Sequence, residues 1–221
     1  MASVIEIPTT EPAFTTTEYN IAALVVTPVT FTAFVAAVKI AQARGKDESS
    51  ILRALFRERV KRQVKAKLAN GTAIAMTDEL IGKIPLRHVM RVKDALNDVT
   101  TPIATMKIKD IDVPQPAEIL NKGDGVLTPI HIRLGSPIKM QGGKQIAELE
   151  FLASTFGDLE AAVISDSQLE HTLGLLSIAH PVGEDMTLTS LPSWALDQIS
   201  LEDGMFLTQK VTPSFFPEPV A

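Results

Sequence analysis

Four histidines, His88, His131, His171 and His180, are the side chains of this chain best suited to proton transfer or metal ligation near neutral pH. None lies in an HExxH or HxH arrangement, the spacings that set two ligands on one face of a helix or strand. There is no Cys, which removes thiolate nucleophiles, sulfur-ligated metals and disulfides together. Glu184-Asp185 and Glu202-Asp203 are adjacent acids at loops or helix starts, where carboxylates cap backbone N–H groups. No glycine pattern of the dinucleotide, P-loop or nucleophile-elbow type occurs. The expectation is a protein that is not an enzyme and holds no cofactor or metal.

His131 belongs to the most legible stretch of the chain, "TPIHIRLGSPIKMQGGKQIAELEF" at 128–151. Even positions from Ile130 to Met140 are almost all apolar, and odd positions hold His131, Arg133, Lys139 and Gln141. That alternation predicts a strand with one wet face, so His131 and Arg133 are expected on the water side. Gly142-Gly143 suits a two-residue hairpin turn, because such turns need positive φ. Counting outward from it pairs Met140 with Gln145, Ile138 with Ala147, Ser136 with Leu149 and Leu134 with Phe151. Helical patterns follow over 156–164 and 165–180, then one or two short helices before the Pro-rich end.

The elements ahead of the hairpin read as mostly helical. Residues 1–18 are Thr- and Pro-rich without periodicity, which predicts a flexible arm. A strand to Val26 and a helix from about Thr30 are separated by Thr27-Pro28. Leu52, Leu55, Phe56, Val60, Val64 and Leu68 recur at helical spacing, so 49–69 is expected as one long helix ending at Asn70-Gly71. It carries Arg53, Arg57, Arg59, Lys61, Arg62, Lys65 and Lys67 against Glu58 alone. A further helix runs from Pro85 to about Asn97. Residues 101–125 read as a connector with one short strand, Met106 to Ile111. The expected class is α+β, mainly helical: a C-terminal hairpin with a small helical cluster, and an N-terminal helical half with a long basic amphipathic helix. The domains are 1–18, 19–100, 101–125, 126–215 and a tail, 216–221.

Residues 1–127 carry a net charge of +3 and 128–221 a net of −8. A basic helix could meet nucleic-acid phosphates, yet the whole chain is acidic at −5 and only 5% aromatic. No window is long and apolar enough to span a bilayer, and the N-terminus lacks a signal-peptide pattern, so a soluble cytoplasmic protein is expected. Two fragments recur in order: "FTAFVAAV" at 31–38 with "FGDLEAAV" at 156–163, and "IPLRHVMRV" at 84–92 with "LPSWALDQI" at 191–199. They keep open a diverged duplication.

With "IHIRLGSPIKMQGGKQIAELEF", "FGDLEAAVI", "SQLEHTLGLLSIAH" and "LTSLPSWALDQISLEDGMFLTQKVTPSFF" laid out, residues 128–215 resemble the tail assembly chaperones of contractile-tailed phages of the Mu and P2 type. The likeness lies in pattern: a strand ending in Pro-Ile, a Gly turn, a strand alternating Leu with charge, then a Gly-Asp-Leu helix start. Leu152-Ala153-Ser154 departs from the Arg and Pro common in that family, and the 127 preceding residues have no counterpart in its small single domain. The resemblance implies a host-cytoplasmic chaperone whose partners are the tape-measure protein and the tail-tube protein. The alternative is a structural component of the phage tail or baseplate, located in the virion. Self-association is a further expectation, and nucleic acid the least favoured partner. Candidate partner-binding residues are Leu52, Leu55, Phe56, Arg57, Lys61 and Lys65 on one helix and Leu169, Leu173 and Leu176 on another.

Overall fold

The computed structural model describes residues 4–10, 13–99, 116–125, 127–153, 159, 167–183 and 188–216. The class is α+β, with helices and antiparallel sheets in two compact units: Met1–Val29 with Ala36–Met106, and Thr30–Val35 with Lys107–Ala221.

The first unit carries more helix than strand among its described residues, and to the helical half that was expected it adds a sheet. Its centre is an antiparallel sheet of β1 (Ile5–Pro8), β2 (Phe14–Thr15), β3 (Asn20–Val26), β4 (Val64–Leu68) and β5 (Ala73–Ala75), in the order β1-β3-β4-β5 with β2 also on β3. The arm expected over 1–18 therefore supplies two strands. Ile5 and Ile7 pair with Val26 and Leu24, and Ile7 and Phe14 are buried, so two or three apolar side chains per strand suffice without visible periodicity. Helix α1 (Phe31–Arg44) follows β3 and belongs to this unit from Ala36 on, and α2 (Glu48–Gln63) opens on a capping box in which Asp47 accepts from Ser50 N–H.

The long basic helix stops at Gln63, six residues short of its expected end, and passes into β4 with no loop. Val60, Val64 and Leu68 are four residues apart, a spacing that suits one helix face and one strand face equally. The strand reading prevails because β3 needs a neighbour, and Val26 pairs with Val64 while Leu24 pairs with Ala66. Asn70-Gly71, expected to end a helix, instead turns β4 into β5: Gly71 has φ 86°, and Asn70 Oδ1 accepts from Thr72 N–H. Helix α3 (Asp78–Lys83) and α4 (Leu86–Asp98) complete the unit, and α4 begins just after Pro85 as expected. Val60, Leu80, Ile81, Val92, Leu96 and the inward strand residues form one core.

The second unit holds a four-stranded antiparallel sheet in sequential order: β6 (Glu118–Asn121), β7 (Ile130–Lys139), β8 (Gln145–Phe151) and β9 (His180–Val182). Strand β6 lies inside the expected connector, and the strand expected at 106–111 lies outside the described residues. Helices α5 (Gln168–Ile178), α6 (Ser193–Leu196), α7 (Leu201–Lys210) and α8 (Thr212–Phe215) accompany the sheet. The segment expected as a helix over 156–164 falls outside the description apart from residue 159, and of the tail only Phe216 is described.

The β7–β8 hairpin is present with its oily side buried, but in a different register. Ile138 pairs with Ile146, Ile132 with Leu149 and Ile130 with Phe151. The chain reverses through a 3-10 turn, Gln141–Gly143, with Gly142 and Gly143 at φ 79° and 82°, closed by Met140 N–H donating to Lys144 O at 2.8 Å. Leu134–Pro137 then oppose Ala147 alone, an irregularity that switches the face of β8 between Ile146 and Leu149. Without the bulge, Ile146 would face water.

Phe31, fully buried, belongs to this unit, and its N–H donates to Ile199 O at 3.0 Å. Its ring lies against Gly204 of α7, where an added Cβ would overlap the ring carbons. Gly→Ala inside a helix ordinarily gains about 0.5–1 kcal/mol. At Gly204 the overlap reverses the sign, and Gly204→Ala is expected to lose about 1–3 kcal/mol in urea denaturation.

Candidate functional site

His131 and Arg133 stand on the polar face of β7, as the alternation requires. Arg133 donates through Nε and Nη2 to Glu148 Oε1 at 3.0 and 2.8 Å, and through Nη1 to Glu118 at 2.8 Å. The Glu148 and Glu118 carboxylates hold the Arg133 guanidinium pKa above its usual value, and Arg133 holds the Glu148 carboxyl below the usual range. His131 Nε2 lies 3.0 Å from the other Glu148 oxygen. In the next row Asn121, His131, Glu150 and His180 are successive register partners across all four strands. This is a solvated ion network that ties β6, β7 and β8 together; among the described residues no group of three His, Asp or Glu could hold a metal ion.

The other two histidines are placed differently. His171 lies in the first half of α5 with its ring stacked on Phe216 at 4.2 Å. His180 is on β9, and His88 is fully buried on the core face of α4.

The polar feature that the sequence reading missed is Asp203. It is 1% exposed in the first turn of α7, with Ser200 as N-cap. Its two oxygens accept from Gly135 N–H at 2.8 Å and Ser136 N–H at 3.0 Å, and Ser200 Oγ donates to Oδ2 at 2.8 Å. These are the backbone donors that the β7 irregularity takes out of the ladder, and one carboxylate recovers both. Burial pushes the Asp203 carboxyl above the ordinary 3.8, against the lowering by Ser200, Gly135 and Ser136. Glu202-Asp203, expected as a capping pair, thus includes a tertiary tie. Only the bulge gives it that role, and the bulge leaves no mark in the residue pattern.

The expected cationic helix is neutralised in part. Lys61 reaches Asp78 at 2.7 Å and Glu58 at 3.3 Å, Arg57 lies 3.7 Å from Asp78, and Arg44 meets Glu58 at 2.7 Å. Hydrogen bonding to Asp78 raises the Lys61 pKa. Arg59 donates to Leu96 O at 2.7 Å, and burial lowers its pKa. Lys65 and Lys67 are on β4, not on the helix, and Lys67 pairs with Glu6 at 3.0 Å.

Of the candidate partner-binding leucines, Leu52 is 58% exposed and Leu55, Leu169 and Leu173 are half-buried. Phe56 packs, partly buried, against the first core, and Leu176 is fully buried and so offers no contact surface. An open depression in the first unit, about 210 Å³, is lined by Thr16, Tyr19, Ile74, Thr77, Leu80 and Lys83 among others; it had no sequence signal. Compared with known proteins, the chain matches no family model, no curated protein and no solved structure.

Two measurements separate these roles. Leu176→Ala is expected to cost about 2–5 kcal/mol of unfolding free energy, whereas Leu52→Ala stays within about 0.5 kcal/mol. Asp203→Ala strands two part-buried N–H groups and is expected to cost about 1–3 kcal/mol. Because the folded carboxyl titrates above 3.8, the native state holds the extra proton as pH rises past that value. Wild-type stability relative to Asp203→Asn should therefore fall as pH climbs through the window and level off above it, as read from denaturation midpoints.

Proposed function

We propose that this chain is a non-enzymatic tail assembly chaperone of a contractile-tailed phage, acting in the host cytoplasm. It keeps the tape-measure protein soluble and brings tail-tube subunits to it. The observation that carries the reading is the hairpin 130–151 with its Pro-Ile strand end, Gly turn and Leu-and-charge second strand, accompanied by helices at 168–178 and 201–210. Its polar face is an ion network of structural type, and its apolar face is buried, which suits a scaffold that presents half-buried leucines such as Leu169 and Leu173 to a helical client.

The first unit is, on the same reading, a diverged copy of the second. In each, two antiparallel strands are followed by helix and then by a third strand antiparallel to the second: β1, β3, β4 and β7, β8, β9. The fragments that suggested duplication support this less than the connectivity does. "IPLRHVMRV" falls on a helix of 13 residues and "LPSWALDQI" on one of 4, and 156–163 is undescribed apart from residue 159.

Co-expression with a tape-measure protein of a contractile-tailed phage tests the function. The client should move from the pellet to the soluble fraction and co-elute with this chain on a sizing column. A client that remains insoluble and never co-elutes rejects the chaperone role.

A further inference from the structure

Helix α4 sets its charges against its own dipole. Helices α2 and α3 begin with Glu48 and with Asp78 and Glu79, and end with Lys61 and Arg62 and with Lys83. Helix α7 begins with Glu202 and Asp203 and ends with Lys210. Those arrangements place anions at the positive end and cations at the negative end. α4 has no acid in its first turn and no base in its last; Arg87 stands at its start and Asp98 is its final residue.

Arg87, Arg91, Asp94 and Asp98 are separated by four, three and four residues, so they lie along one stripe of the helix, and all are exposed. None of the four enters an ion pair among the described residues. Leu86, Met90, Lys93 and Asn97 repeat the same spacing on an adjacent exposed stripe, with Leu86 77% and Met90 52% exposed. The opposite face, His88, Val92, Ala95 and Leu96, is buried in the first unit.

We propose that this face is a homodimer interface in which two copies of α4 pack antiparallel about a two-fold axis. Under such symmetry, residue i meets residue j where their numbers have a constant sum along one stripe and nearly the same sum on the next, and j meets i in return. Arg87 with Asp98 and Arg91 with Asp94 share one sum. A single register therefore sets Arg87 against Asp98 of the partner subunit and Arg91 against Asp94 of the partner subunit, with both pairs repeated by symmetry. Leu86 with Asn97 and Met90 with Lys93 share a second sum on the adjacent stripe, so Met90 lies along the aliphatic stem of Lys93 of the partner subunit. Reversal also brings an aspartate to each positive helix end and an arginine to each negative end. The order that is unfavourable within one helix becomes favourable between two.

A nucleic acid, an anionic lipid surface or a foreign acidic helix would answer the arginines while opposing Asp94 and Asp98. A second copy run in reverse presents both signs in the required order. The helix is about 20 Å long, and one such pair buries less than the ~1,200 Å² of a standard interface, which places the dimer among weak, transient ones.

Sedimentation equilibrium of the full chain from about 5 to 200 μM tests the pairing. The wild type should show a monomer–dimer equilibrium. Arg91→Asp alone and Asp94→Arg alone should each weaken it at least about tenfold, and the two combined in one chain should restore it to within about threefold. Arg87→Asp with Asp98→Arg gives an independent second cycle, and circular dichroism melts matching the wild type show that each variant folds. A chain monomeric at about 200 μM, single reversals without effect, or a combined variant no tighter than the single ones would each overturn the proposal.

Discussion

The second unit depends on one carboxylate. The β7–β8 hairpin can bury Ile130, Ile132, Leu149 and Phe151 near its base and Ile138 with Ile146 near its tip only if four residues bulge against one. A bulge releases backbone donors inside a packed sheet, and unmet donors there cost about 1–3 kcal/mol each. Asp203 supplies both acceptors from the start of α7, and Ser200 holds the same carboxylate while capping the helix. The hairpin register, the placement of α7 and the close approach of Phe31 to Gly204 are consequently one problem with one solution.

Much of the hairpin was readable because two signals agreed: period-two alternation and a glycine turn. The water-side position of His131 and Arg133 followed from parity alone. The register did not, because the number of residues in a turn and the presence of a bulge depend on what lies beneath the strand. In the first unit the misreading had a different source. Residues 60, 64 and 68 satisfy helix and strand spacing together, and only the tertiary demand of β3 for a partner selects the strand. Short strands such as Phe14–Thr15 carry too few residues for any period to show.

Charge shows the same dependence on context. Seven cations within fifteen residues could meet phosphates, but Glu58, Asp78 and Glu6 come from another turn, another helix and another strand to meet Arg57, Lys61 and Lys67. The leucine rows divide likewise: sequence spacing identifies an apolar stripe but not which of its members faces the core. Exposed Leu52 and buried Leu176 have equal hydrophobicity and opposite surroundings.

The junction at Gln63–Val64 limits what length changes this fold can absorb. Helix becomes strand across one peptide bond, and Gln63 O is held there by Thr27 N–H and Thr27 Oγ1 at 2.7 and 3.0 Å. One inserted residue would invert β4, sending Lys65 and Lys67 into the oily interior and Val64 and Ala66 into solvent. Insertions and deletions accumulated by drift should collect instead in the tip at 69–72, leaving 60–68 a stretch of fixed length in any descendant that still folds.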